Sequence, residues 1–228
     1  MSSFDIAVRP PLRGEETVLV ALLLAFVGGY IDAYTWVVHG VMANAQTANL
    51  IFLWVYGTAG EWTRAMEFVP PMLAFVAGVA IASLLRGTAS GRARAIATLM
   101  ELVVLIAIGI LHNRMPDIAG TLGVSFVAAI QAAMFTKIEG ASYSTVMITG
   151  NLRQAIENVY AVVSRADPSA SVRRSGIFAA VCVLFGLGAA AGAFATRMIP
   201  DLTLGIPVTA LLVVLLRCEA RRSSCRNE

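Results

Sequence analysis

The residues that could do chemistry in this sequence are few, and one group of them recurs. Gln46-Thr47-Ala48-Asn49-Leu50 returns as Met147-Ile148-Thr149-Gly150-Asn151-Leu152 roughly one hundred residues later, each copy behind a turn that contains glycine, Gly40 or Gly140. Thr and Asn at the head of an apolar helical run can accept hydrogen bonds from the orphan N–H groups of a first helical turn, and would then simply cap helices. In a bilayer the pair could do more, because non-helical backbone at depth is tolerated only where protein buries it or where it lines a wet cavity. Two helix N-termini entering from opposite faces would aim the positive ends of their dipoles at one point, forming a solute or ion site or a cation barrier.

Other polar groups interrupt apolar runs. An unpaired charge at Asp32 would cost about 2.5–3.5 kcal/mol at mid-membrane, so it needs a partner, a wet cavity or a proton, unless it sits at headgroup level. Gln131 is its counterpart in the second half, able both to donate and to accept. Glu101 invites the same question, with Arg92 and Arg94 within reach of its side chain. The expected substrate-binding set is Asp32, Thr47, Asn49, Gln131, Thr149 and Asn151. His39 and His112 lack Cys or carboxylate neighbours at ligand spacing, so no metal is expected. No Gly-rich phosphate loop, nucleophile elbow or His-Glu-x-x-His pattern occurs, so neither an enzyme nor a cofactor is expected.

The elements that must position these residues are apolar. With 58% hydrophobic residues, 14% charged residues and a mean hydropathy of +0.77 over 228 residues, the chain is too apolar for a soluble domain, in which about a quarter of residues are charged. The lipid bilayer is therefore its first partner. The net charge of +3 is small and the Arg residues fall in short clusters between apolar runs, which argues against nucleic acid. Three cysteines, Cys182, Cys218 and Cys225, read as free thiols. The first apolar run, Thr17 to Val38, is too long for a signal-peptide core and reads as a retained span.

Residues 1–15 read as a disordered cytoplasmic leader, 16–216 as one transmembrane domain with repeat halves at about 16–112 and 118–216, and 217–228 as a basic cytoplasmic tail. Loops rich in Lys and Arg stay cytoplasmic. If every apolar segment crossed, the Arg9, Arg13 leader and the Arg86 to Arg94 loop would fall on opposite sides. If the segments after the two Thr-small-Asn motifs enter and leave on one side, the leader, that loop, the Arg165 to Arg174 loop and the tail all face the cytoplasm. Trp36 and Trp62 then mark the outer boundary. Thr47 to Thr58 would also span only about 18 Å as a helix, against a hydrocarbon core of about 30 Å.

The expected fold is an all-α polytopic membrane protein of six transmembrane helices, both termini inside, with two short re-entrant or interfacial helices. Three spans per half make the second half an upside-down copy, an inverted 3+3 repeat. Small residues four apart at Ala25-Gly29-Ala33, Ala74-Gly78-Ala82 and Gly188-Gly192 allow close helix approach, either within the chain or in a homodimer.

Gly28-Gly29-Tyr30-Ile31-Asp32-Ala33, followed by the two Thr-small-Asn motifs, resembles the YoaK-like family of small bacterial integral membrane proteins over about residues 16–216. The resemblance implies a multi-span protein of the bacterial inner membrane and supplies no substrate. Ala48 stands where the family pattern usually has Gly, which would strain the turn if that position required a positive φ. The function expected is a transporter or channel-like protein for a small solute or ion. The alternative is a non-transporting membrane partner or assembly protein in which the motifs are only caps.

Overall fold

The computed structural model describes residues 17–89, 92–111, 114–164 and 168–226. The leader, His112 and Arg165 lie outside the described residues. In lipid every backbone N–H and C=O needs an internal partner, so the apolar runs become helices. These are α1 (Val18–His39), α2 (Gln46–Thr58), α3 (Trp62–Met66), α4 (Val69–Thr88), α5 (Ala93–Leu111), α6 (Asp117–Met134), α7 (Ile148–Val163), α8 (Pro168–Met198) and α9 (Gly205–Arg226). Five helical stretches are long and apolar enough to cross a bilayer: α1, the Trp62–Thr88 stretch carrying α3 and α4, α5, α8 and α9; α6 is shorter. The fold is therefore all-α and polytopic. At 13 and 16 residues, α2 and α7 reach only about 20 and 24 Å at 1.5 Å per residue.

The helix α1 is the centre of the bundle, buried along most of its length from Val20 to Thr35. It packs most extensively on α8, and also on α9 and α6, while α4 packs on α6 and α6 on α5. Glycines set the two largest contacts. A Cβ at Gly29 would run into Phe185 O, one at Gly188 into Phe26 O, and one at Gly192 would lie 2.5 Å from Tyr30 O. Between α4 and α6, a Cβ at Gly78 would collide with Phe126 O and the Ala129 side chain. The small-residue stripes are thus consumed by packing within the chain, the close approach that small side chains permit in lipid. The outward faces of the bundle are apolar, with Leu73, Val76, Ile110, Phe194 and Leu216 all more than half exposed.

Gly40 closes α1 in the left-handed conformation, φ 69°, its N–H donating to Trp36 O at 3.0 Å. The second half differs here. After α6 the chain forms a two-stranded antiparallel hairpin, β1 (Lys137–Ile138) with β2 (Ala141–Ser142), in the register Lys137 to Ser142. Its turn residues Glu139 and Gly140 have φ of 47° and 81°, the two positive values that a two-residue hairpin turn of the primed type uses. Arg86 and Arg94, from the ends of α4 and α5, donate to Ala133 O and Met134 O at 3.4 and 3.2 Å, covering carbonyls that the end of α6 leaves open.

Candidate functional site

The two Thr-small-Asn motifs are built alike. In each, the asparagine is the fourth residue of its helix and reaches back to the backbone of the residue seven before it. Asn49 Oδ1 accepts the Met42 N–H at 2.9 Å while its Nδ2 donates to Met42 O at 2.7 Å. Asn151 Oδ1 accepts the Ser144 N–H at 3.1 Å while its Nδ2 donates to Ser144 O at 2.6 Å. Both side chains are buried. Neither Thr caps its helix: the N-terminal positions are Ala45 and Met147, without a side-chain cap. Each asparagine therefore closes a loop, satisfying the N–H and C=O of the residue seven before it.

These loops approach α1 from opposite ends and meet halfway along it. From one end, Thr35 Oγ1 accepts the Ala43 N–H at 3.1 Å, Asp32 Oδ1 accepts the Asn44 N–H at 2.7 Å, and Asn44 Nδ2 donates to Gly28 O at 3.2 Å. From the other, Ile138 and Tyr143 pack with Ala21 and Ala25, and a Cβ at Gly28 would lie 2.6 Å from Thr145 O. Both helices then lead back out. The α2 residue Phe52 lies between Trp36 and Phe68, with ring centroids 5.4 and 5.6 Å away. Antiparallel to α8, α7 passes from Ile148, beside Cys182, to Ala155, whose carbonyl accepts from Ser175 Oγ at 3.0 Å.

Of the expected residues, the structure brings Asp32 and Gln131 to α1 or its buried surface. Gln131 Nε2 donates to Leu24 O at 3.2 Å, one turn below Gly28. Leu24, Gly28 and Asp32, spaced four apart, share one face of α1 and carry the contacts to Gln131, to both loops and to Asn44. Asn49 and Asn151 are occupied as clamps, while Thr47 and Thr149 are exposed. Sequence reasoning missed Asn44, Tyr143 and Thr145, which are buried in the loops ahead of the motifs; Asn44 Oδ1, Tyr143 OH and Thr145 Oγ1 have no hydrogen-bond partner, nor has Gln131 Oε1. Glu101 is also buried, and its Oε1 is unpartnered.

A cavity of about 360 Å³ opens at the end of the bundle where α1 finishes, among residues of α1, α5, α6, α8 and the segment that joins α8 to α9. Tyr34, His39 and Asp201 line it together with apolar Val37, Ile108 and Leu204. The Tyr34 and His39 rings meet edge to face, centroids 6.4 Å apart. Thr196 and Thr203 also line it, and both belong to a buried hydroxyl cluster with Tyr30. Tyr30 OH donates to Thr203 O at 2.6 Å and lies 2.9 Å from Thr203 Oγ1, which is 3.2 Å from Thr196 Oγ1; the last donates to Gly192 O at 2.7 Å.

The family model for a protein of unknown function, DUF1275, matches residues 20–217. The chain belongs to the DUF1275 family. This fits the uncharacterised membrane family that the motifs resemble, and the match spans both asparagine clamps and every helix from α1 to most of α9. No curated protein and no solved structure matches the chain.

Proposed function

We propose that this DUF1275 protein moves a small solute or ion across the bacterial inner membrane along a path centred where the two loops meet on α1. The observation that carries the reading is their convergence at Gly28, with buried polar atoms of both loops and of Gln131 left without partners. Buried polar groups are normally hydrogen-bonded, and an unsatisfied one costs about 1–3 kcal/mol. In a helical membrane bundle such a cluster is the place for a hydrogen-bonding solute, water or ion. Asp32 would serve as the charged or proton-bearing group, held by the Asn44 N–H.

The inverted 3+3 arrangement is part of the same proposal. It is supported by matching contacts: α1 on α8 parallels α6 on α4, and α1 on α9 parallels α6 on α5. The carbonyl of the Phe in Phe26-Val27-Gly28-Gly29 faces Gly188, as that in Phe126-Val127-Ala128-Ala129 faces Gly78. Single cysteines at Glu61 and Arg92 in a cysteine-free background should label from opposite sides of the membrane with an impermeant reagent. Labelling from one side rejects this topology and the cytoplasmic termini with it.

Purified protein in liposomes should support solute- or proton-linked flux. Asp32→Asn keeps an oxygen to accept the Asn44 N–H and removes the charge, so it should lower flux at least tenfold while leaving the melting temperature near that of the parent. No flux across a broad solute panel, together with an indifferent Asp32→Asn, would sink the proposal. A second reading, a non-transporting assembly partner, is favoured by the exposed apolar stripe Leu152, Ile156, Val159, Tyr160 and Val163 on α7. It predicts a stoichiometric membrane partner whose loss destabilises this chain.

A further inference from the structure

We infer that the cavity at the α1 C-terminal end binds a small organic ammonium ion, a protonated amine carried on a short apolar body. Proton accounting in its floor leads there. Each hydroxyl has one proton. The Tyr30 proton goes to Thr203 O and the Thr196 proton to Gly192 O. The Thr203 proton has Tyr30 OH and Thr196 Oγ1 as its neighbours. All three protons can be placed inside the cluster, which leaves the Thr196 and Thr203 oxygens as acceptors toward the cavity that they line.

A floor made of acceptors selects a ligand made of donors. An ammonium group supplies up to three N–H donors and a charge, and hydrogen bonds to a charged group are the stronger kind. Asp201 places a carboxylate in the same lining, in which no Lys or Arg stands among the described residues. Tyr34, Ile108 and Leu204 add largely apolar wall for the carbon chain. The volume, about 360 Å³, lies at the small end of ligand pockets, which run from about 300 to 1,000 Å³. This site goes beyond the conduction reading, because binding here stands or falls without any flux.

The test is calorimetric titration of the full-length protein in lipid nanodiscs with n-butylammonium, 1-butanol and butyrate at fixed ionic strength. Saturable binding of n-butylammonium is expected, with the alcohol and the carboxylate at least about tenfold weaker. Thr196→Val and Asp201→Asn should each weaken the ammonium about tenfold or more. Equal binding of butanol or butyrate, or parental affinity in both variants, overturns the inference. Should Thr196→Val fail to fold, Asp201→Asn, which alters an exposed residue, decides alone.

Discussion

The loop ahead of α2 and the loop ahead of α7 end in the same asparagine clamp but are anchored to different things. The first is tied to the central helix by buried side chains, Asp32 and Thr35 taking the N–H groups of Asn44 and Ala43. The second is tied to the periphery. Gln154 Nε2 donates to Ser142 O at 2.7 Å, and Glu139 pairs with Arg173 at the start of α8, Nη2 to Oε1 at 2.6 Å. The helices that follow differ in the same sense, since α7 lies firmly on α8 and α2 only lightly on α4. The difference teaches that one turn geometry can be kept while its control is moved from a buried carboxyl to an exposed ion pair. A change at Asp32 reports on the first loop, a change at Glu139 on the second.

The largest test removes the shared element. Asn49→Ala and Asn151→Ala each strand a backbone donor and acceptor, at about 1–3 kcal/mol for each group. Thermal melts in nanodiscs should therefore show comparable losses of several degrees for the two variants. A loss at one position and none at the other would break the likeness between the loops.

A smaller effect, about 1–3 kcal/mol, is expected from overpacking in Gly28→Val. The added side chain meets Thr145 O and Val146 and thus presses on the second loop. In single-cysteine backgrounds, a cysteine at Ser144 should label faster in this variant while one at Met42 stays protected. Equal labelling of both would mean the loops move together.

The smallest effect concerns Glu139, whose carboxyl the hydrogen bond from Arg173 holds below its ordinary value of 4.5. A carboxyl lowered in the folded state contributes stability that is complete above the unfolded value and is lost as pH falls through the folded one. Glu139→Gln should lower the melting temperature slightly at pH 7, and the gap to the parent should close below pH 4.5. Because the Arg173 side chain is 62% exposed, added salt should shrink the same gap.

Much of the architecture was legible in the sequence, because apolar runs and Arg clusters report directly on the environment of whole segments. The five long apolar stretches, the shorter α6 and the two short helices all follow from that signal, whereas for Asp32 it left a buried place and a headgroup-level one both open. Gly40 and Gly140 were also readable as a pair, and both have positive φ, although one closes a helix and the other turns a hairpin. The strain expected at Ala48 does not arise, since Ala48 and Gly150 both lie inside helices and neither has a positive φ. What could not be read is where each asparagine points. Its target is a peptide group seven residues back, and a peptide group carries no residue identity. Asn44 and Thr145 stood close ahead of the motifs without a periodic signal of their own. The cavity escaped for a different reason, since its lining comes from helix ends far apart in the chain.

The clamp has a consequence for how the protein is made. Each asparagine closes a loop of only eight residues, and short loops close in about 10–100 ns, long before helices dock. The chain can then enter the bilayer with the Met42 and Ser144 peptide units already paired, as a prefabricated plug. Assembly of the bundle becomes a search for the middle of α1 by two finished pieces.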